Sequence, residues 1–419
     1  MLRLLLCALT GQCLAAGPSE ARPNVLLILA DDFGYEWVGA NGGLSCPTPR
    51  LDALAASGMR FERCHVQPLC TPTRLELMTG RSNVRNYRNF GLLPRDEITF
   101  GKVFSQAGYH TGICGKWQLG REPDSPQHFG FAQACLWQHT RRPPRYANPG
   151  LEYDAKERDF TQGEYGPDLL QHFALDFITS HKGRPWLLYY PMLLTHDPFH
   201  PTPDSANWDP KRRGEKGSEP ANYPDMVAYL DKQVGQLTDH LQAQGELENT
   251  LLMFLGDNGS GRGLCAQTKE GPRFGGKGST KAQGTHVPLL VHWPAGLAKA
   301  GATCRDLISA TDIFPTLCEA AAIAAPTALD GVSFLPQLRG QVGHPRPWLY
   351  HWYSPRQGSD KTLIQWAMDE THKLYDDGRL YDLRDDPLEQ HPLKAEGVAA
   401  EKLKAVLLQF AKARPPGLD

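Results

Sequence analysis

The chain has 419 residues, of which 44 are Lys or Arg and 46 are Asp or Glu, so its formal net charge is −2 at pH 7. This length exceeds that of one typical domain, and we expect a large domain followed by a smaller one. A charge so close to zero provides no field that would attract nucleic acid, which we therefore exclude as a partner.

The N-terminal residues have the pattern of an export signal. Arg3 precedes a short apolar run at residues 4–9, and small residues follow at positions 15–17. We predict a signal peptide over residues 1–17 and an exported protein, periplasmic or secreted, and lysosomal or extracellular if the source is a eukaryote. No later apolar run has the length of a bilayer span, so we expect no transmembrane anchor.

Four apolar runs are predicted to be buried strands of one sheet. They cover residues 24–30, 110–115, 186–194 and 250–256. Near-continuous apolar runs are typical of strands covered on both faces, as in a largely parallel sheet between helices. Polar residues follow each run, and ligands of open α/β sheets lie at the carboxyl ends of the strands. We therefore expect the four polar endings to converge on one site.

Helical patterns separate these strands. They cover residues 48–58, 99–107, 168–180, 223–244 and 311–322. The alternation predicts an α/β fold with a large mixed, mostly parallel sheet sandwiched by helices. Two long polar segments, 123–166 and 197–224, are predicted to be loops of the kind that form binding lids.

The pattern changes near the C-terminus. Short segments at 348–353, 363–368, 372–375 and 379–383 predict a small antiparallel sheet, and a helix over 398–412 closes it. With a linker over 340–347, we predict a catalytic domain at residues 18–340 and a small C-terminal α+β subdomain at residues 341–419.

Eight cysteines follow the predicted signal peptide: Cys46, Cys64, Cys70, Cys114, Cys135, Cys265, Cys304 and Cys318. None has the C-x-x-C spacing of a zinc site. We expect scattered buried thiols with one or two disulfides, whose pairing the spacing does not determine.

Cys70 has the most informative surroundings of these cysteines. Pro72 suits the first position of a helix, Thr71 can cap its first turn, and Gly80 suits a left-handed exit. The unpaired amides and partial positive charge at such a helix start favour a thiolate or another anion.

Two polar pairs provide hard oxygen ligands at strand ends. Asp31 and Asp32 follow the first predicted strand, and Asp257 and Asn258 follow the fourth. Carboxylate and amide oxygens suit Ca²⁺ or Mg²⁺ better than a metal that prefers thiolates. We predict a divalent cation there.

The motifs of the chain, in order, resemble those of the formylglycine-dependent sulfatases. They are Asp31-Asp32, Cys70-Thr71-Pro72-Thr73-Arg74, Gly115-Lys116-Trp117, Thr195-His196-Asp197-Pro198, Gly256-Asp257-Asn258-Gly259 and Gly276-Lys277-Gly278. Leu380-Tyr381-Asp382-Leu383 resembles the closing segment of the family. The resemblance covers nearly the whole chain after the signal peptide and implies an alkaline-phosphatase-like fold and a sulfuric ester hydrolase.

The resemblance also implies a cofactor and a set of site residues. A formylglycine-generating enzyme would oxidise Cys70 to 3-oxoalanine, and Ca²⁺, with Mg²⁺ as the alternative, would be bound by Asp31, Asp32, Asp257, Asn258 and residue 70. The implied catalytic residues are Cys70, Arg74, Lys116, His196 and Lys277, and the implied substrate-binding residues are Gln118, Lys116, His196 and Lys277. Fixed cations and a metal ion would stabilise the charge that moves to the leaving oxygen of a sulfate ester.

The sequence departs from the family pattern at two positions. Gln118 stands where a histidine is usual, and a glutamine cannot exchange a proton near neutral pH. Gln283 stands where glutamate is common, which we interpret as a structural change.

Three interpretations of the function follow. The first is an exported sulfatase that acts on a sulfated small molecule or glycan, and the basic segment 139–146 is a candidate contact for an anionic sugar. The second is a phosphomonoesterase or phosphodiesterase on the same scaffold, because a metal ion, a nucleophile and cations also serve phosphoryl transfer. The third is a catalytically silent protein that binds sulfated glycans, which Gln118 keeps open.

Overall fold

The computed structural model describes residues 22–212, 214, 216–357, 362–416 and 418. The predicted signal peptide lies outside these described residues. In the part of the chain that the structure describes, no helix combines the length and the apolar character that crossing a bilayer requires.

The described residues form sixteen strands and ten α-helices. The strands are β1 (Asn24–Ala30), β2 (Met59–His65), β3 (His110–Gly115), β4 (Gln133–Trp137), β5 (Gly150–Tyr153), β6 (Lys156–Asp159), β7 (Trp186–Pro191), β8 (Thr250–Gly256), β9 (Cys265–Thr268), β10 (Gly271–Phe274), β11 (Leu289–His292), β12 (Ala302–Ser309), β13 (Leu349–Tyr353), β14 (Ile364–Met368), β15 (His372–Tyr375) and β16 (Leu380–Asp382). The α-helices are α1 (Pro49–Ser57), α2 (Cys70–Thr79), α3 (Phe100–Gln106), α4 (Ser125–His128), α5 (Gly166–Ser180), α6 (Tyr223–Gln244), α7 (Ala282–Thr285), α8 (Ile313–Ala320), α9 (Leu335–Leu338) and α10 (Gly397–Phe410).

A ten-stranded mixed sheet forms the centre of the fold, in the order β12-β2-β11-β8-β1-β7-β3-β4-β5-β6. The pairs β8–β1, β1–β7, β7–β3 and β3–β4 are parallel, whereas β11, β5 and β6 run antiparallel to their neighbours. The sheet is therefore mixed and mostly parallel, which confirms the predicted fold class.

Strand β1 has both faces covered. Val25, Leu27 and Leu29 pack into one hydrophobic cluster, and Leu26 and Ile28 pack into a second one on the opposite face of the sheet. Because successive side chains of a strand point to opposite faces, an unbroken apolar run is what such a double-sided core requires.

The predicted strands and helices are largely confirmed. β1, β3 and β8 have the predicted bounds, as does α6, while β7 ends at Pro191, three residues before the predicted end. The prediction of one long loop over residues 123–166 is wrong, because β4, β5 and β6 lie within it. These strands are only four or five residues long, and the edge strand β6 is exposed throughout, so their local pattern is weak.

Helix α2 begins at Cys70, two residues before Pro72, which the sequence indicated as the first helical position. Leu69 is its N-cap residue and makes no side-chain capping bond, so Thr71 and Pro72 lie inside the first turn. The prediction that Thr71 caps the helix is therefore wrong. Gly80 ends the helix in the left-handed conformation, with φ of 64°, as predicted.

A four-stranded antiparallel sheet, in the order β13-β14-β15-β16, follows the large one. Tyr350, Trp352 and Phe410 belong to the same hydrophobic cluster as Val25 of the large sheet. The small sheet and α10 thus share a core with the large sheet. The division into domains at residue 340 stays a prediction.

The eight cysteines after the predicted signal peptide carry free thiols. The expectation of one or two disulfides is therefore wrong for the described residues. Most of these thiols are buried, and Cys265 is exposed.

Candidate active site

The carboxyl ends of four neighbouring strands of the large sheet meet at one edge, as the sequence predicted. Asp31 follows β1, Lys116 follows β3, His196 follows β7, and Asp257 follows β8. The N-terminal end of α2 brings Cys70 to the same place, where one ligand atom from each of Asp31, Cys70 and Asp257 lies within 4.8 Å of the other two.

Two glycines allow the chain to turn closely at these strand ends. Gly115 has φ of 126°, and a Cβ atom there would lie 1.9 Å from the carbonyl oxygen of Pro191. A Cβ atom at Gly259 would lie 1.8 Å from the carbonyl oxygen of Gln283. Only glycine fits at either position, so Lys116 and Asn258 owe their placement to their glycine neighbours.

Arg74 and Lys116 neutralise the carboxylates at the base of the site. Lys116 Nζ donates to both oxygens of Asp31, at 2.8 and 2.6 Å. Arg74 donates to Asp257 Oδ2 from Nε at 3.1 Å and from Nη2 at 2.8 Å, and its Nη1 donates to the Lys116 carbonyl oxygen at 2.8 Å. All four side chains are at most 3% exposed. Buried charges are retained only with such partners.

Lys277 and His196 form the second cationic pair, next to Asp32. Lys277 Nζ donates to Asp32 Oδ2 at 2.5 Å and lies 3.1 Å from His196 Nε2. On the other side of the ring, His196 Nδ1 lies 2.5 Å from the Asp197 carbonyl oxygen and 3.1 Å from Arg145 Nη1. Nε2 is placed to accept from the Lys277 ammonium group, whereas Nδ1 has both an acceptor, the Asp197 carbonyl oxygen, and a donor, Arg145 Nη1, next to it.

Two carboxyl groups of the site have pKa values shifted in opposite directions. Burial raises the pKa of Asp31, but the cations around it, led by Lys116, outweigh burial and lower this pKa overall. Burial, and next the charge of Asp31, raise the pKa of Asp257 to about 7. Burial of most of its ring lowers the pKa of His196 to about 4, so the imidazole is neutral at pH 7.

The donor set fits a hard divalent cation. The side-chain nitrogen of Asn258 donates to Asp32 Oδ1 at 2.8 Å and to the Gly259 carbonyl oxygen at 2.9 Å, whereas its Oδ1 is buried with no hydrogen-bond partner among the described residues. A buried oxygen of this kind is rare unless it has another ligand to accept from. It adds a neutral oxygen to carboxylates that suit Ca²⁺ or Mg²⁺.

A cavity of about 190 Å³ opens above Cys70, which is itself 2% exposed. The predicted site residues Cys70, Lys116, Gln118, His196 and Lys277 line it. Trp117 of the Gly115-Lys116-Trp117 motif also lines it, as do His139, Arg142 and Arg145 of segment 139–146. The lining residues that the sequence did not indicate are Leu69, Phe90, Trp137 and Arg356. The sequence indicated segment 139–146 as a candidate contact, but the strand that leads into it was missed.

Gln118 lies in the wall of this cavity. Its backbone is in the left-handed region, with φ of 55°, and its Oε1 is buried without a hydrogen-bond partner among the described residues. Gln118 therefore has an acceptor that is available to a ligand hydroxyl or amide group.

The sequence matches known families over most of its length. The Sulfatase family profile matches residues 23–323, and the profile described as N-sulphoglucosamine sulphohydrolase, C-terminal, matches residues 277–414. Arylsulfatase A of Bos taurus is 33% identical over 96% of this chain and 90% of its own length. N-acetylgalactosamine-6-sulfatase of Canis lupus familiaris is 32% identical over 83% of this chain and 72% of its own length.

A solved structure has the same fold. The crystal structure titled Ps i-CgsB in complex with k-i-k-neocarrahexaose has a TM-score of 0.77 and 26% identity, and the match covers 94% of each chain. Together with the family profile over residues 23–323 and the sheet-edge site, these matches establish that the chain belongs to the sulfatase family of sulfuric ester hydrolases.

Proposed function

We propose that this chain is an exported sulfatase that hydrolyses sulfate monoesters, sulfated carbohydrates among them, with formylglycine at position 70 and a bound divalent cation. One observation carries the proposal. Ligand atoms of Asp31, Cys70 and Asp257 lie within 4.8 Å of one another at the base of a cavity that Lys116, His196 and Lys277 line.

We assign the cation to Asp31, Asp32, Asp257, Asn258 and residue 70, with Ca²⁺ as the first choice and Mg²⁺ as the alternative. The unpartnered Oδ1 of Asn258 supports this assignment. Bound there, the ion would supply positive charge next to the sulfate oxygens.

The surroundings of residue 70 suit a nucleophile that is formed from the cysteine side chain. As a hydrated aldehyde, residue 70 would provide one hydroxyl that attacks sulfur and a second whose deprotonation releases sulfate. The thiol of Cys70 lies at the start of α2, where the helix dipole favours negative charge. Arg74, one turn further on, donates two hydrogen bonds to Asp257 and so opposes the rise in the pKa of this carboxyl group.

Lys277 and His196 are the residues that we assign to proton and charge transfer. Burial opposes the charge of Lys277, but Asp32 outweighs burial and raises its pKa, so the ammonium group persists and stabilises negative charge on the leaving oxygen. His196 is neutral at pH 7 and its Nε2 is an acceptor, so it is suited to take a proton from the hydroxyl of residue 70.

The names of two relatives support a carbohydrate substrate. One is an N-acetylgalactosamine-6-sulfatase, and one structure was solved with k-i-k-neocarrahexaose. Export is supported by the N-terminal pattern of basic, apolar and small residues.

The mass of the peptide that contains Cys70 tests the proposal. In a host that contains a formylglycine-generating enzyme, we expect this peptide to have the mass of the aldehyde or its hydrate. Cys70→Ala should abolish hydrolysis of an aryl sulfate, whereas Cys265→Ala, at an exposed thiol outside the cavity, should not change it.

A matched pair of substrates tests the reaction class. We expect hydrolysis of an aryl sulfate to exceed that of the corresponding aryl phosphate. A preference for phosphate would favour the phosphoesterase interpretation, and an unmodified thiol with no turnover of either ester would favour the silent binder.

A further inference from the structure

The segments that line the active-site cavity contact each other in a closed ring. We call this ring the cavity wall, and it consists of residues 90–93, 117–122, 137–145, 196, 277–278 and 353–357. Each of these segments contributes at least one lining residue. A cavity within a closed ring is a pocket, whereas a groove needs a wall that is open at two ends.

One half of the cavity wall joins the loop before α3 to the segments after β3 and β4. The Leu93 amide donates to the Leu119 carbonyl oxygen at 3.0 Å. His139 Nε2 lies 3.0 Å from the Glu122 carbonyl oxygen, and His139 Nδ1 lies 2.7 Å from Glu152 Oε1 of β5. The side chains of His139 and Glu152 are each 3% exposed. Buried partners on both sides of the His139 ring therefore hold this half of the wall in place.

The other half of the wall passes through the catalytic residues. Arg145 Nη1 lies 3.1 Å from His196 Nδ1, which joins the segment after β4 to the strand end after β7. Lys277 Nζ lies 3.1 Å from His196 Nε2 and so joins the next segment of the ring. This half of the wall is thus made by residues that we assign to the reaction itself.

The ring closes at the turn after β13. Tyr353 Oη donates to the Gly278 carbonyl oxygen at 3.1 Å, next to Lys277. Four residues further on, the Gln357 carbonyl oxygen accepts from the Phe90 amide at 3.2 Å. The guanidinium carbon of Arg356 lies 4.2 Å from the ring centre of Phe90. The contacts therefore run around the cavity and return to the loop before α3.

The enclosed space is small. Its volume of about 190 Å³ is below the roughly 300 to 1,000 Å³ of pockets that hold a drug-sized ligand. A larger cavity of about 580 Å³, which Tyr35 and His286 line, shares none of its described lining residues with the active-site cavity and so does not extend it. The space suits one sulfated sugar ring and is too small for three consecutive rings.

We propose that the enzyme acts on the terminal sugar of a glycan or on a free sulfated monosaccharide, and not on a sugar within a chain. Because Cys70 is 2% exposed, the sugar that carries the sulfate has to enter the cavity. A sugar within a chain has a neighbour on each side, and a closed wall rejects the second neighbour by steric overlap. A terminal sugar has one neighbour, which can leave through the mouth. This inference rests on the proposed sulfatase activity and specifies its substrate class.

Positional isomers test the inference. A panel of monosulfated monosaccharides, which differ in the sugar and in the sulfated hydroxyl, first identifies the best sulfated sugar. Three trisaccharides are then compared, with this sugar at the non-reducing end, in the middle or at the reducing end. We expect kcat/KM for the better end isomer to exceed that for the middle isomer by about a hundredfold or more. Comparable values would overturn the inference, as would hydrolysis of sulfated oligosaccharides by an enzyme that hydrolyses no monosaccharide of the panel.

Removal of one aromatic ring from the wall should relax this preference. Phe90→Ala opens the wall next to Arg356, so kcat/KM for the middle isomer should rise about tenfold relative to the better end isomer. Phe274→Ala is the matched control, because Phe274 is 63% exposed and does not line this cavity, and it should leave the ratio unchanged. An unchanged ratio in a Phe90→Ala protein with a parental unfolding midpoint would contradict the closed wall.

Calorimetry distinguishes this inference from the proposed activity. With the panel ranked by affinity, the Cys70→Ala protein should bind the better end isomer at least about tenfold more tightly than the middle isomer. Absence of turnover with this binding difference intact would contradict the activity alone. Turnover with equal binding of the three isomers would contradict the closed wall alone.

Discussion

Substitution of Asn258 tests whether its side-chain oxygen is a ligand of the proposed cation. It is buried without a partner among the described residues, while the nitrogen of the same carboxamide is held by Asp32 and Gly259. We expect Asn258→Ala to raise the Kd for Ca²⁺ about tenfold to a hundredfold, because one oxygen ligand is lost from a set that is otherwise intact. Elemental analysis of protein equilibrated at a series of free Ca²⁺ concentrations measures this Kd.

Asn86 offers a matched control for that substitution. Its Oδ1 is also buried without a partner among the described residues, but its nitrogen donates to Thr79 at the end of α2, away from the acidic cluster. Asn86→Ala should leave the Kd for Ca²⁺ unchanged. An equal effect of both substitutions would mean that the Asn258 oxygen is not a ligand.

Short sequence motifs located most of the site, whereas side chains outside these motifs were not located. Cys70, Lys116, His196 and Lys277 each stand in a short pattern, and all four line one cavity. Trp137 stands in no such pattern, because its place in the cavity depends on how β4 pairs with β3. Pairing between distant segments has little local signal, so this part of the cavity needed the structure.

Helix α2 buries a carboxylic acid behind the residue that we propose as nucleophile. Glu76 is 3% exposed and accepts hydrogen bonds from Gln67 Nε2 at 2.9 Å and from the Asn83 amide at 3.1 Å. Burial raises its pKa from 4.5 to about 8, so the acid is protonated at neutral pH. A glutamine of the same shape can accept the same two hydrogen bonds.

The raised pKa of Glu76 gives a pH dependence of defined sign. As the pH rises from 4.5 to about 8, the unfolded chain releases this proton while the folded protein keeps it, so the free energy of unfolding falls. Glu76→Gln removes this loss, and its stability relative to the parent should increase by more than about 1 kcal/mol between pH 5 and pH 8.5. Urea unfolding at both pH values measures the change. Glu401→Gln, at an exposed position of α10, should show no such increase.

Strand β3 ends at a glycine that no other residue can replace. A Cβ atom at Gly115 would lie 1.9 Å from the Pro191 carbonyl oxygen, so Gly115→Ala forces β3 and β7 apart and should lower the free energy of unfolding by about 4 kcal/mol or more. Chemical denaturation measures the loss, and absence of soluble protein would agree with it.

Gly108 is a control that distinguishes the clash of a Cβ atom with a neighbouring strand from the conformational cost of a positive φ. It also has positive φ, 86°, but a Cβ atom there would meet nothing within 4 Å. Gly108→Ala should therefore lower the free energy of unfolding by only about 1 kcal/mol. Equal losses for both variants would contradict the close approach of β3 and β7.

The small C-terminal sheet supports the loop that carries Lys277. Tyr353 Oη of β13 donates to the Gly278 carbonyl oxygen at 3.1 Å, and Lys373 Nζ of β15 donates to the Thr280 carbonyl oxygen at 2.6 Å. The position of Lys277 in the active site thus depends on residues more than seventy positions later in the chain.

Removal of one hydroxyl group tests this dependence. Tyr353→Phe should lower kcat/KM for an aryl sulfate about tenfold, because Lys277 loses part of its orientation, and should lower the free energy of unfolding by about 1 kcal/mol. Tyr350→Phe removes a hydroxyl that donates to Gln365 within the small sheet and should leave kcat/KM unchanged. Equal activities of the two variants would show that the small sheet does not position Lys277.

The architecture could be predicted to different degrees in the two sheets. The central strands β1, β3 and β8 are continuous apolar runs and were located residue by residue, as was β15 of the small sheet. The pairs β9–β10 and β5–β6 are short hairpins with many exposed residues, and their formation depends on contacts that the local pattern does not encode. The support of Lys277 by Tyr353 was likewise beyond sequence reasoning, because it joins two segments with no shared pattern.

The burial of Cys70 limits when the proposed oxidation of this residue could take place. With 2% of this residue reachable by solvent and its helix packed within the core, another protein cannot enclose the thiol once the chain has folded. For the oxidation that we propose at residue 70, an enzyme would have to meet this stretch as an extended peptide, so the modification would come before folding. The order of events during biosynthesis would then decide whether a given molecule becomes an active catalyst or stays permanently inert.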